Sequence, residues 1–206
     1  MSLKIKINDL CKLIANDYEG WAYVAGAFKN KHLKFCHLIV DPFWSYASGG
    51  ALCQPVAGVY IPKLEKLWEL TESGYKNRYS LGEKLNKPGE DLITFRKYIN
   101  NIDEDHGEAY IRQVLDLGIE LINQRYDLTS EEALLKNLPD LPSLYEDDLG
   151  VTYCLAHILS GDFDFFLRFY NDEISTIRPK KMDKLERIMA HLPELQANWE
   201  KTGKVA

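Results

Sequence analysis

The chain lacks the features by which membrane proteins and many enzyme classes are recognised from sequence. None of its 206 residues belongs to an apolar run approaching the roughly eighteen that a membrane span needs, so we expect no membrane partner. It has no glycine-rich loop followed by Lys-Ser or Lys-Thr, no G-x-S-x-G elbow and no H-E-x-x-H pair. Nucleotide-binding, acyl-transfer and zinc-protease chemistry are therefore without support.

Positive charge is scarce as well. The 25 Lys and Arg stand against 31 Asp and Glu, which gives a formal net charge of -6. Because nucleic-acid affinity comes from clustered cations that release counterions, we expect no nucleic-acid partner. Residues 75–79 interleave cations with tyrosines as single-strand binders do, but a surface loop anchored by its tyrosines is the favoured interpretation.

Paired cysteines are also missing. The four cysteines lie far apart inside apolar runs, with no C-x-x-C spacing for zinc or disulfide exchange. We expect reduced core residues, and neither a metal nor a cofactor. Residues 1–4 carry charge without an apolar segment behind them, so the expected location is the cytoplasm.

What the chain does contain is material for a core, with 46% hydrophobic and 12% aromatic residues. The pattern predicts an α+β fold: a small, mostly antiparallel sheet in the N-terminal half, covered by helices, and an all-helical C-terminal half. We expect one cooperative unit over 1–206. Its sub-regions are a sheet-containing part, 1–72, and a helical part, 90–206, joined by a loop at 73–89 rich in Gly and Pro.

Apolar spacing places the individual elements. Alternation of Leu3, Ile5 and Ile7 with lysines predicts an edge strand. Residues 21–28 and 33–40 form the two arms of a predicted hairpin, and 56–61 a third strand, followed by a helix that begins at Pro62.

The C-terminal half shows helical spacing throughout. Apolar residues predict one helix across 92–99 and a longer one from about 105 to 126. Asp162 is predicted to cap the Phe-rich helix that follows it.

One candidate catalytic site is the acidic run at 103–108. Carboxylate and imidazole groups there, with His157, are ligands or acid–base groups that a hydrolase uses. The favoured alternative is that the acids cap the long helix, whose N-terminal dipole attracts carboxylates, and that His157 is a hydrogen-bonded residue at the core margin. The residues of this enzymatic alternative are Asp103, Asp105, His106, Glu108 and His157.

A candidate binding surface lies in the two longest irregular stretches. Aromatic residues there either pack onto the sheet or form the centre of a protein interface, where aromatic side chains with a few cations are enriched. These residues are Trp44, Tyr46, Tyr75, Lys76, Arg78 and Tyr79.

Two short segments resemble a known family. Residues 26–31 (GAFKNK), Phe35 and residues 58–64 (GVYIPKL) are similar to the bacterial domain of unknown function 4304. The resemblance covers only 26–64. It implies a bacterial origin and no particular activity.

Together these observations predict a bacterial accessory protein that works by binding another protein, in the manner of an immunity protein, with any small-molecule ligand unknown. The alternative is a hydrolase or other enzyme with its site near 103–108. A concave pocket that joined His106, Asp105 and Glu108 with His157 or Asp162 would favour the enzyme.

Overall fold

The computed structural model describes residues 2–47, 49–72, 78–87, 89–138, 149–174 and 181–205. It confirms the α+β prediction. The helices are α1 Leu3–Ala15, α2 Pro62–Trp68, α3 Gly107–Arg125, α4 Glu131–Lys136, α5 Leu149–Leu159, α6 Phe163–Tyr170 and α7 Met182–Thr202. The strands are β1 Trp21–Val24, β2 Ala27–Asn30, β3 His37–Asp41, β4 Ser45–Ala47, β5 Gly50–Cys53, β6 Val56–Tyr60, β7 Leu81–Lys84, β8 Asn86–Lys87, β9 Glu90–Thr94 and β10 Lys97–Ile99.

The chain divides into two compact units. The first combines Met1–Tyr60 with Leu81–Arg125, and the second combines Ile61–Ser80 with Tyr126–Ala206. The division differs from the predicted sub-regions, because β7 and β8 lie within the predicted loop at 73–89 and β9 and β10 within the predicted helical part. Strand β7 pairs with β6 and β10 pairs with β5, which the local pattern does not reveal, while β8 and β9 pair with each other.

The first unit is built around a five-stranded antiparallel sheet in the order β1-β2-β3-β6-β7. Strands β3 and β6 occupy its middle and are buried along almost their whole length. They read as continuous apolar runs because both faces of the sheet are covered there. The third strand predicted at 56–61 is thereby confirmed, as is the helix that begins at Pro62.

The predicted hairpin has its turn in a different place. Ala25 and Gly26 both take left-handed φ angles, 54° and 84°, and connect β1 directly to β2. Two consecutive left-handed residues make the type I′ turn that suits the twist of a hairpin. The Lys29-Asn30-Lys31 segment instead ends β2, and β3 pairs with β2 after a longer connection.

Two local predictions assigned the wrong type of secondary structure. Leu3, Ile5 and Ile7 belong to helix α1, where Ile7 shares a buried stripe with Cys11 and Ile14 while Ile5 is exposed. The alternation at 3–7 resembles that of a strand because so short a stretch does not distinguish the period of a strand from the period of a helix.

The predicted helix over 92–99 is replaced by strands β9 and β10. Exposed Tyr98 and buried Ile99 alternate across the sheet rather than sharing a helical stripe. Their partners, Leu52 and Ala51 of β5, are distant in the sequence, so local periodicity could not reveal the pairing.

Helix α3 covers the sheet of the first unit, and its predicted apolar stripe is confirmed. Gly118 lies in the middle of that stripe, against Val40 of β3. A Cβ at position 118 would stand 2.6 Å from the Val40 methyl carbons, so the glycine permits the close approach of helix to strand.

The second unit is helical in the part that the structure describes. Helix α5 contacts α2, α4, α6 and α7, and buries Val151, Cys154, Leu155 and Ile158. Helix α7 is tied to α2 and the turn after it: Lys184 lies 4.9 Å from the Trp68 ring centroid, and Arg187 donates to the Thr71 carbonyl at 2.6 Å. A cation–π contact and a hydrogen bond thus join α7 to α2 and the turn that follows it.

We expect Gly118→Ala to lower stability although alanine is the better helix former. The substitution gains about 1 kcal/mol of helix propensity, while overpacking of a close contact costs about 1 to 3 kcal/mol. Urea unfolding measures the difference. The double variant with Val40→Ala should be less destabilised than the sum of the two single variants, and a more stable Gly118→Ala would contradict the close contact.

Unfolding of the whole chain as one cooperative transition stays a prediction. The first unit is assembled from two segments with part of the second unit between them, so neither unit is a continuous fragment. We expect a single calorimetric peak whose van't Hoff and calorimetric enthalpies agree. Two resolved peaks, or a stable soluble fragment ending near residue 87, would overturn it.

Candidate functional site

The acidic run at 103–108 forms the turn between β10 and α3. The Asp105 carboxylate accepts backbone N–H bonds from Asn101 at 2.9 Å and from Asn100 at 2.6 Å. These two bonds hold the pKa of Asp105 below its ordinary value. Lys97 donates from Nζ to the Asp105 carbonyl oxygen. The central acid of the candidate enzymatic site is therefore engaged in closing a turn.

The other members of the run also have local roles. His106 takes a left-handed φ of 53° immediately before α3, and Glu108 accepts from Arg112 at 3.0 Å in the first helical turn. Arg112 also donates to Asp17 at 2.8 Å. His157 belongs to the second unit. Throughout the ranges that the structure describes, no three His, Cys, Asp or Glu side chains are grouped to hold a metal ion.

We expect Asp105→Ala to lower the unfolding midpoint because two backbone N–H groups lose their acceptor. Asp103→Ala is the matched control, since Asp103 is an exposed acid of the same turn. The pKa of Asp105 is lower in the folded state than in the unfolded state. Its ionised carboxylate therefore stabilises the fold above the unfolded pKa of about 3.9, and this stabilisation is lost as the pH falls through the folded pKa. The difference between wild type and Asp105→Ala, followed by circular dichroism, should accordingly shrink below about pH 4. Equal midpoints at neutral pH would contradict the assignment.

The aromatic stretch after β3 is held by a buried acid. Asp41 is fully buried at the end of β3, and its Oδ1 accepts the backbone N–H of Phe43 at 2.8 Å. Phe43 takes a left-handed φ of 47°, and the residue is 44% exposed. Burial of Asp41 fixes the backbone here, while the aromatic ring at 43 remains at the surface.

Strand β4, which follows, is an edge strand of the three-stranded sheet β10-β5-β4. All three of its residues are exposed, including Tyr46, whose ring lies 5.7 Å from Lys4 Nζ. Partial burial raises the pKa of Tyr46 to about 12. Across the same sheet, Tyr98 and Ser45 both pair with Leu52, so their side chains share one face, while Tyr46 lies on the opposite face, that of Ala51. We call residues 43–47 the aromatic edge.

The structure separates the predicted interface residues into different environments. Tyr46 is exposed, whereas the indole nitrogen of half-buried Trp44 is inaccessible and neighbours Cys11, whose pKa burial raises to about 12. In the second unit, Arg78 is exposed and Tyr79 is buried. Tyr75 and Lys76 lie outside the described residues. Tyr46 is thus accessible at the surface, and Tyr79 is not.

A cleft of about 700 Å³ is found within the second unit. His157 and Asp162 line it, but Asp105, His106 and Glu108 do not. Lysines and carboxylates balance in number around its wall, and one pair, Lys63 and Glu131, is joined at 2.6 Å. The charged residues are Lys63, Lys136 and Lys204 with Glu131, Glu132 and Asp162. We call this pocket the His157 cleft.

The remainder of the His157 cleft is largely apolar. Gly161, at a left-handed φ of 84°, lies so close to the Trp199 indole that any Cβ there would collide with the ring. The glycine therefore allows Trp199 to sit against the turn between α5 and α6. The apolar and aromatic lining consists of Leu135, Leu159, Trp199 and Val205.

His157 is held on two sides. Its Nδ1 lies 2.9 Å from Asp162 Oδ2, and its ring stacks on Phe165 with centroids 3.6 Å apart and planes 4° from parallel. The other oxygen of Asp162 accepts the Phe165 backbone N–H at 3.1 Å, which confirms the predicted N-cap of α6. One carboxylate thus both starts a helix and orients an imidazole.

Comparison of the chain with family models, curated proteins and solved structures gives no significant match. The resemblance at 26–64 consequently stays a prediction. No helix in the described ranges is both long and apolar enough to cross a membrane. Function must therefore be argued from the aromatic edge and the His157 cleft themselves.

Sequence reasoning missed Phe43 of the aromatic edge and the exposed position of Tyr98 on a strand. Phe43 follows Asp41-Pro42, and an aspartate whose side chain accepts from the backbone two residues on is a recognised turn signal at this position. Tyr98 was assigned to a helix stripe. The walls of the His157 cleft come from α2, α4, α5, α7 and the residues after α7, so their meeting left no local signal.

Proposed function

We propose that this chain is a protein-binding protein, and that an extended segment of its partner adds to strand β4 at the aromatic edge. An accessory or immunity-like role of bacterial type, in which binding alone acts on the partner, fits this proposal because it requires no catalytic group. The runner-up enzyme near 103–108 has no observation in its favour, since Asp105 is engaged with the backbone.

The observation that carries the proposal is the conformation of Phe43. A left-handed backbone costs a non-glycine residue about 1 to 2 kcal/mol, and here the structure maintains it through a fully buried acid, Asp41. The residue remains 44% exposed, so it is not part of the core. Backbone strain of this kind is concentrated at functional sites, which supports the exposed part of Phe43 as a contact surface.

The free side of β4 supports an extended occupant. Within the described part of the chain, β4 pairs with β5 alone, so its other side carries backbone donors and acceptors without a strand neighbour. Native proteins protect such edges with charge, with proline or by keeping the strand short; β4 is short, but its Ser-Tyr-Ala sequence has neither charge nor proline. A peptide that adds as a strand would satisfy the backbone groups and place alternate side chains beside Tyr46.

Local charge defines the partner further. Lys4 lies over the Tyr46 ring, so the aromatic edge carries a positive charge although the chain as a whole is acidic. A partner segment with alternating apolar residues and an acidic residue opposite Lys4 would complement both features.

The test is to select binders from a phage-displayed library of random peptides and compare their affinity for variants. Aromatic centres of interfaces cost about 2 kcal/mol or more on truncation, so Phe43→Ala and Tyr46→Ala should each weaken selected peptides by about thirtyfold. Leu13→Ala is the control, because Leu13 is 60% exposed on α1 of the same unit.

Thermal midpoints should change little in all three variants, since these side chains contribute little to the core. Selected peptides that alternate apolar residues would support strand addition. Peptides that bind both variants as tightly as wild type, or variants that unfold readily, would contradict the proposal.

A further inference from the structure

We infer that the His157 cleft is a binding site for a small neutral phenol, whose hydroxyl donates to His157 Nε2. The inference is independent of the aromatic edge, which lies in the other unit. It rests on the tautomer, rigidity, charge balance and size of the cleft.

The tautomer follows from the Asp162 contact. A carboxylate only accepts hydrogen bonds, so His157 Nδ1, 2.9 Å from Asp162 Oδ2, carries the hydrogen. In the neutral ring Nε2 is then the lone-pair acceptor, and the described residues give it no partner. A ligand that complements the cleft therefore brings a donor hydrogen to this atom.

The acceptor is also held in place. Parallel stacking on Phe165 and the Asp162 bond restrain the imidazole from two directions, and Asp162 is itself fixed by the Phe165 N–H. A preorganised acceptor loses little side-chain freedom when a ligand binds, which favours affinity for small molecules.

The hydroxyl nearest to His157 in sequence is engaged elsewhere. Ser160 Oγ donates towards the carbonyl oxygens of His157 at 2.9 Å and Ala156 at 3.3 Å. It is thus not positioned as a nucleophile activated by the imidazole. The arrangement favours binding of a hydroxyl over acyl transfer.

Charge balance favours a neutral ligand. Three lysines and three carboxylates line the cleft, and the Lys63–Glu131 pair at 2.6 Å is already formed. A ligand with net charge meets no surplus of the opposite sign, and would have to compete with existing pairs.

Size and the apolar wall favour an aromatic body. The volume of about 700 Å³ falls within the range of about 300 to 1,000 Å³ found for small-molecule pockets. Leu135, Leu159 and Trp199 offer apolar surface to a ring whose hydroxyl reaches the histidine. Such a wall with one oriented acceptor is the general design of a small-molecule site.

The experiment compares phenol with anisole, which has the same ring but no hydroxyl hydrogen. Affinities are measured on the full chain by ligand-observed NMR titration. A net hydrogen bond makes phenol bind about fivefold more tightly to wild type. His157→Phe, which retains a ring to stack on Phe165, should abolish this preference. His191→Phe, on exposed α7 surface of the same unit, should preserve it.

A second variant separates the effect of the His157 tautomer from the effect of the shape of the cleft. Asp162→Asn retains a good helix cap, but its amide donates to Nδ1 and moves the ring hydrogen to Nε2. Its phenol preference should fall to parity or below, and ¹H–¹⁵N correlation spectra of the imidazole should show the exchanged tautomer. Absence of saturable phenol binding at millimolar concentration would overturn the inference. Equal affinities in wild type, or a preference that survives in His157→Phe, would overturn it too.

Discussion

The pairing of β3 with β6 is the constraint on which the first unit depends. Both strands are buried along nearly their full length, so each must be flanked by strands and covered by side chains or helices. Gly58 of β6 meets this demand on one side, because a Cβ there would collide with the backbone of β7. Gly118 of α3 meets it on another, against Val40. Because neither glycine carries a side chain, β7 can pair closely with β6 and α3 can pack closely on β3.

The same central strand leads directly to the surface. Asp41 ends β3 inside the core, and its hydrogen bond to Phe43 sets the direction of the chain into β4. Burial of a carboxylate costs free energy unless the carboxylate is hydrogen-bonded. Here the hydrogen bond that offsets this cost also fixes the backbone at the exposed Phe43. The second unit uses an acid similarly, since Asp162 joins a helix start to an imidazole. In both units a side-chain oxygen determines the position of the groups proposed to bind.

The sequence predicted those elements whose pattern was long or whose cause lay among neighbouring residues. The long stripe of α3, the apolar run of β6 and the Asp162 cap were all predicted, because each has a cause within its own neighbourhood. Residues 3–7 were too few to distinguish a strand from a helix. Residues 97–99 depended on pairing with β5, which no local pattern encodes. Of the candidate site, exposed Tyr46 was predicted, whereas the cleft around His157 required helices distant in the chain to meet.

The order of the strands has a consequence for synthesis on the ribosome. Strands β6 and β7 are hydrogen-bonded neighbours, yet α2 and the residues up to 80 are made between them. Helix α3, which covers β3 and β6, emerges later still. A nascent chain that has just completed β6 therefore presents an apolar sheet with an unpaired edge, the state that chaperones recognise and that aggregates. Translation speed across the intervening residues sets how long that state lasts.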